Sequence, residues 1–359
     1  MHALPPFALA RRQLLATGVA GLLASAGSAL ALPARTLQFP RDFGAHPDFR
    51  TEWWYITGHA VSGGREFGFQ LTFFRSRVDG TQGMASKFAA KQLIFAHAAI
   101  TDVAARKLWH DQRIAREGFD IASASTQGMA LKLRDWSLQS DGNTHTAKLP
   151  AADFGLDLQF TETQPVLLQG RQGLSRKGPE VKQASYYYSL PQLATRGALT
   201  VKGQTFEVTG KAWLDHEWSE EILHPDATGW DWIGMNLDDG SALTAFRLRD
   251  KQGAALWDGG SFRAARGEPS IFNRGDVIFQ PLRAWKSPLS QASYPVEWAV
   301  RTPAGFYTVR AVIDNQELDS RQSTGAIYWE GLSELIDSNG KRVGRGYLEM
   351  TGYASPLRL

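Results

Sequence analysis

The chain has 359 residues, too many for one ordinary core, so its length favours about two domains. Apolar residues make up 43% and charged residues 21%, which excludes a disordered chain. A formal charge of +3 with no basic block lacks the electrostatic footprint of a nucleic-acid binder, and zero cysteines exclude disulfides, thiol nucleophiles, iron–sulfur clusters and cysteinyl zinc.

Taken in chain order, residues 1–31 read as a twin-arginine signal peptide. Arg11-Arg12 is followed by leucines, then by Ala16 to Leu23 broken by Gly18 and Gly21, and Ala29-Leu30-Ala31 supplies a small-x-small cleavage pattern. The apolar part is too short to span a bilayer, and no later segment is long enough, so no stable transmembrane anchor is expected. A periplasmic location follows from this reading.

After Pro33 the hydropathy alternates with period two. Trp53 to Gly58, a Ser62-Gly63-Gly64 turn and Phe67 to Arg75 predict a hairpin. Leu93 to Thr101, Leu131 to Leu138 and Leu156 to Thr161 read as further strands, and Tyr187 to Ala194 and Glu220 to Leu223 as short helical turns at most. Trp54-Tyr55-Ile56 with Leu71-Thr72-Phe73-Phe74-Arg75 is echoed by Trp230-Asp231-Trp232-Ile233, the turn Asp238-Asp239-Gly240, and Leu243-Thr244-Ala245-Phe246-Arg247. That echo predicts a duplicated unit. The expected fold is all-β: two tandem antiparallel barrels over 36–222 and 223–358, joined near Ile222 to Gly229 where His224-Pro225-Asp226 breaks the strand pattern. Twelve Trp and nineteen Phe then either line a lumen suited to a long apolar ligand or fill two cores.

Four motifs stand in order along the chain: His46-Pro47-Asp48-Phe49-Arg50-Thr51-Glu52-Trp53-Trp54-Tyr55, Leu214-Asp215-His216-Glu217-Trp218, Trp230-Asp231-Trp232 and Tyr328-Trp329-Glu330-Gly331. They resemble the carotenoid 1,2-hydratase and AttH-like family over almost the whole mature chain. The resemblance implies two lipocalin-like domains. It leaves the activity divided among hydratases (kievitone hydratase among them), pericyclic catalysts and members known only beside ABC-transporter genes. It also implies a site centred on Asp215 and His216.

Hydrating an unactivated double bond needs a carboxylic acid kept neutral by an apolar pocket, with aromatic faces for the cation that forms. Alternation over Ala212 to Trp218 puts Trp213, Asp215 and Glu217 on one strand face and Leu214, His216 and Trp218 on the other. The candidate catalytic residues are Asp215, His216, Glu217 and Asp231. The candidate ligand-binding residues are Trp54, Tyr55, Trp213, Trp218, Trp230, Trp232, Tyr328 and Trp329. Asp231 and Glu330 read equally as carboxylates tying strand ends, and Glu52 as a clamp for Arg75 or Arg247. His216, Glu220 and His224 miss the His-Glu-x-x-His pattern, phosphate loops and dinucleotide fingerprints are absent, and neither a metal nor a cofactor is expected. The expected function is an exported binder of an apolar, lipid- or terpenoid-like ligand, working beside an ABC transporter. The alternative is a hydro-lyase adding water to a carbon–carbon double bond.

Overall fold

The structure, a computed structural model, describes residues 32–221 and 223–357. The expected signal peptide lies outside the described residues. Among those residues, two 3-10 turns, Arg41–Phe43 and Asp79–Thr81, are the only helical elements. Among the described residues no helix is long and apolar enough to cross a membrane. Everything else regular is strand.

The strands form two antiparallel sheets. Side by side in the first lie Lys107–Arg116, Gln92–Asp102, Arg65–Arg77, Thr51–Ser62, Gln204–Glu221, Ala184–Val201, Phe154–Thr161, Thr144–Pro150, Trp136–Asp141, Ala130–Leu133 and Ala122–Ala124. Short pieces at Leu167–Leu168 and Leu174–Arg176 also pair with Ala184–Val201. The sheet curls until its ends nearly meet, with Gly118 bridging Ala122 beside the two edge strands. The second sheet runs Ser270–Phe272, Ala255–Arg263, Ala242–Arg249, Gly229–Leu237, Arg342–Met350, Ala326–Asp337, Gly305–Ala311, Ser293–Thr302 and Ile278–Lys286, with Glu317–Ser320 on Ala326–Asp337. The last strand of the first sheet ends at Glu221 and the first of the second begins at Gly229.

The predicted first hairpin forms, closed by Gly63 and Gly64 at φ +53° and +85°, the positive angles that a two-residue turn between twisted strands requires. Leu131 to Leu138 is not one strand but a hairpin turning at Arg134-Asp135, with Arg134 at φ +59°. Tyr187 to Ala194 is not helical. It is strand, interrupted by a register shift between Leu190 and Leu193, with Gln192 at φ +57°. This bulge has a purpose visible in the contacts. Gln192 donates its backbone N–H to Asn236 Oδ1 (2.8 Å) and its amide to the carbonyls of Leu237 (2.9 Å) and Ser241 (2.7 Å), stitching the first sheet to the second.

The interior of the first sheet is packed solid. Trp54, Ile56, Phe69, Leu71, Phe73, Trp136, Phe160, Leu214 and Trp218 point inward in a single buried cluster. One end is plugged by residues 35–49, with Leu37, Phe39 and Phe43 in the core and Trp54 Nε1 donating to Phe43 O at 2.9 Å. The interior of the second sheet is filled likewise by Ile233, Met235, Trp298, Trp329, Leu335 and Leu348. Both lumens are therefore cores, and the open volume lies elsewhere.

Candidate functional site

A cavity of about 620 Å³ lies between the two sheets, against the outer face of the first and a facing wall of the second. Its construction follows from strand register. In the first sheet Phe74, Trp53, Glu217 and Tyr187 stand opposite one another on four adjacent strands. In the second sheet Phe246, Trp232, Glu349 and Glu330 do the same. All eight line the cavity. The inward neighbours repeat as well: Glu52 stands opposite Arg75 and Asp231 opposite Arg247, each pair bonded at 2.7 Å within its own sheet. The sequence echo is thus one construction used twice, with an acid–arginine clamp inside and an aromatic–acid row facing the shared cavity. Register sets Trp53, not Trp54, as the counterpart of Trp232.

Six carboxyl groups line this cavity, Glu220 and Glu221 at the end of their strand and four deeper in. Asp215, opposite Tyr55 on the neighbouring strand, accepts hydrogen bonds from Ser189 Oγ (2.5 Å), Tyr187 Oη (2.7 Å) and Trp213 Nε1 (2.7 Å). Burial nevertheless outweighs these donors and, with the nearby Glu217 charge, pushes Asp215 up to about 7. Glu217 is held differently: Lys177 Nζ lies 2.9 Å away and Ser185 Oγ donates to it. Lys177 itself sits over the rings of Phe246 (4.3 Å) and Tyr187 (4.7 Å), joining the two walls.

Glu330 and Glu349 face each other across adjacent strands. Burial first, and then the Glu349 charge, raise Glu330 well above the carboxylate range, partly offset by the hydroxyls of Tyr55 and Tyr328. Burial raises Glu349 to about 7 against the indole of Trp230, whose Nε1 donates at 3.1 Å, with Asp215 and Glu217 adding to the rise. Two like charges this close cannot both persist out of water, so the pair holds at least one proton at neutral pH. Glu330 Oε1 and Tyr55 Oη are both buried and near enough to influence each other, yet neither completes a well-formed hydrogen bond in the protein, so a polar group of a ligand can be taken up between them.

The far wall carries a directed chain of hydrogen bonds. Gln112 spends its amide N–H on Asp319 O (2.6 Å), so its Oε1 accepts from Ser323 Oγ (2.7 Å). Ser323 therefore accepts from His97 Nε2 (2.8 Å), and His97 Nδ1 is left to accept from Tyr328 Oη (2.9 Å). Full burial pulls His97 down to about 3, so this ring is a neutral acceptor. His97, Ser323 and Tyr328 all border the cavity.

The expected site residues divide by strand face. Asp215, Glu217, Tyr55, Trp230, Trp232 and Tyr328 line the cavity, and Trp213 stands directly behind Asp215. His216, Trp54 and Trp218 do not, because alternation turns them into the first core. There His216 stacks on Trp54 at 4.5 Å and Trp218 on His46 at 3.8 Å. His216 Nε2 and His46 Nδ1 both meet Glu52 Oε1, at 2.9 and 2.7 Å, while Arg75 Nε binds Oε2. That cluster of His46, Glu52 and His216 has the spacing of a metal site, but its donors are spent on one another and the guanidinium already supplies the positive charge. It is a structural clamp. Asp231 is likewise turned away from the cavity: its oxygens serve Arg247 (2.7 Å) and Tyr353 (2.8 Å) in the second interior. Trp329 is core, donating to Asp314 O at 2.7 Å. Glu220 lies in the last residues of the strand Gln204–Glu221 at the rim, so no helix aligns it with His216 and His224.

A family model described as AttH-like matches residues 30–353. The chain belongs to the AttH-like family. A solved AttH structure from Nitrosomonas europaea is 46% identical, with TM-score 0.83 over 90% of this chain and 99% of that one. Kievitone hydratase from Nectria haematococca shares the fold at TM-score 0.69 and 14% identity, covering 89% of this chain and 94% of its own. A ceramide-binding protein of Aspergillus fumigatus is 26% identical over 142 residues, which is 38% of this chain and only 35% of that protein's length. This AttH-like protein therefore has the lipocalin-like, two-sheet architecture of solved relatives along nearly its whole length.

Sequence reasoning did not single out Glu349, Lys177, Tyr187 or His97 as site residues of this AttH-like protein. Glu349 was findable: it occupies, in Tyr347-Leu348-Glu349-Met350, an alternating strand with an acid in an otherwise apolar run. Lys177 and His97 carry no local signal, since only the packing of one sheet on the other brings them to the cavity.

Proposed function

We propose that this AttH-like protein binds an apolar, lipid- or terpenoid-like molecule in the cavity between its sheets, with the polar end of that molecule against Glu330, Tyr55 and Asp215. The observation that carries this reading is the combination of aromatic walls with carboxyl groups that burial keeps largely uncharged. A wall of Trp53, Phe74, Phe95, Trp230, Trp232 and Phe246 offers apolar area, and neutral acids hydrogen-bond a hydroxyl or carbonyl without the cost of a buried charge. The likeness to a ceramide-binding protein accords with it. The test is mass spectrometry of organic extracts from purified mature protein, beside a variant with Trp232→Ala and Phe246→Ala. An apolar molecule retained by the parent and lost from the variant supports the proposal; empty parent protein that also fails to take up long-chain lipids sinks it.

A second reading, hydro-lyase activity, is favoured by the acids raised to near neutrality. A protonated Asp215 or Glu349 can deliver its proton to an alkene carbon, forming a C–H bond and a carbocation facing the indole rings. Water then adds to the cation and its proton returns to the carboxylate. Incubation with acyclic terpenoid alkenes, followed for the mass gain of one water, tests it. On the sequence reading of residues 1–31 we further propose twin-arginine export to the periplasm and an accessory role beside an ABC transporter that handles such molecules. A fusion of that segment to a reporter that is active only after export tests the first of these.

A further inference from the structure

The floor of the cavity does not stop at its rim. Along the first sheet, three successive cross-strand rows run outward: Thr72, His97 and Gln112; then Phe74, Phe95 and Ile114; then Ser76, Leu93 and Arg116. Phe74 and Phe95 stack at 4.8 Å, and Ile114, which continues their row, lines the cavity yet is 39% exposed. Beyond the last row stand Phe88 and Phe119. Their rings stack at 5.5 Å, and the Arg116 guanidinium lies over both, 5.6 Å from Phe88 and 4.1 Å from Phe119. Arg116 also donates to Lys87 O at 3.3 Å, fixing the Met84-to-Phe88 loop to the sheet edge. Phe74, Phe95, Ile114 and Leu93 thus form an apolar ramp, flanked by polar side chains, from the buried cavity toward two large rings in solvent, Phe88 at 75% exposure and Phe119 at 53%, with Met84 at 52%.

Exposed aromatics held in place by a cation are costly to display in water and are unusual on a soluble surface. The charges around them are in positive excess. Lys87, Lys91 and Arg116 form no ion pair among the described residues, while Asp79 is paired with Arg77 (2.7 Å) and Asp120 with Lys132 (2.6 Å), leaving Glu117, which accepts the Ala124 N–H, as the one neighbouring acid without a cation. Free cations around an apolar, aromatic tip are the pattern that inserts into the headgroup region of an anionic bilayer.

We infer that Met84, Phe88 and Phe119, ringed by Lys87, Lys91 and Arg116, dock this protein on an anionic lipid membrane, so that the ramp opens onto the bilayer. The inference rests on the reading of the cavity as an apolar-ligand site, which it deepens by naming where the ligand is picked up or released. Insertion buries the two rings and Met84 at the acyl boundary, and each cation adds about fivefold to binding at an anionic surface.

The test is flotation of the mature chain with phosphatidylcholine vesicles, with and without phosphatidylglycerol. The parent should float with the anionic vesicles, weakly or not at all with the neutral ones, and progressively less as salt is raised. The Phe88→Ser, Phe119→Ser double variant should lose anionic binding at least tenfold. Because both rings are exposed, its circular dichroism should be unchanged. The Lys87→Glu, Lys91→Glu variant leaves the rings alone and should remove the preference for phosphatidylglycerol. Uptake of a soluble short-chain lipid, read by tryptophan quenching in the same proteins, should be equal throughout. Ligand uptake without flotation by the parent overturns the docking inference alone; flotation without uptake sinks the cavity reading and leaves the membrane site standing. Dimerisation of the parent that the double serine variant abolishes would assign the patch to a second copy of the chain and overturn the inference too.

Discussion

Asp215 has a hydrogen-bond donor on each accessible side and is still pushed up to about 7, because burial withdraws more than those donors return. Its value in the folded chain therefore exceeds its unfolded value of 3.8, so folding takes up a proton between the two. The sign follows: this group is without cost to the native state below about pH 4, lowers stability as pH rises through about 4 to 7, and adds no further loss above that. Asp215→Asn replaces the neutral acid with a group of the same shape that cannot ionise. Relative to the parent it should gain stability across that window, at most roughly 4 kcal/mol at ~1.4 kcal/mol per pH unit. Urea titrations near pH 4 and near pH 8 read the difference, and a gap that does not widen with pH would show that burial does not hold Asp215 neutral. If the cavity is catalytic, turnover needing this proton should fall as pH rises through about 7, and the same variant should abolish it.

At the scale of the strand, one rule generates the site: neighbours alternate between a core and a cavity. Trp53 and Tyr55 face the cavity while Trp54 and Ile56 face the core, and Asp215 and Glu217 part from His216 and Trp218 in the same way. That alternation was legible for Ala212 to Trp218 because the run is regular. It was not carried through to Trp54, Asp231 and Trp329, where an aromatic–acid motif looked like chemistry whichever face it took. The hairpin echo was legible too, and so was Glu52 as an arginine clamp, but pairing register, which no single strand encodes, was needed to match Glu52 with Asp231 and to give Arg75 to the first and Arg247 to the second. Which side of a barrel holds the open volume was not legible, because period two marks two faces without saying which is the lumen. The strand scale makes its own prediction at Gly234. The Trp232 ring lies across this glycine, and a methyl there would collide with it. Gly234→Ala should drive the indole into the cavity, costing about 1–3 kcal/mol of stability and closing the apolar wall. Loss of lipid uptake with an altered tryptophan emission is the expected result; unchanged uptake would remove Trp232 from the binding wall.

The two sheets behave as one molecule because polar side chains span the seam between them. Thr101 donates to Gln316 at 2.8 Å, Gln169 accepts from Ser261 at 2.8 Å, and His97 joins Tyr328. Gln192 adds the contacts made by its bulge, and Arg345 pairs with Glu66. Separating the halves would strand these groups and bare Trp53, Tyr55, Phe74, Phe95 and Tyr187 to water. Residues 32–221 expressed alone should aggregate or bind an apolar dye strongly, while the full chain unfolds in a single transition. A monomeric, dye-silent fragment would show the first sheet to be self-sufficient. Because both lumens are filled, the residues that fill the two cores and those that line the cavity sit back to back on the same strands, and the cavity row also packs one sheet on the other. Substitutions in the outward row can therefore reshape the hollow at the seam while the two inward cores, and the architecture they hold, stay put.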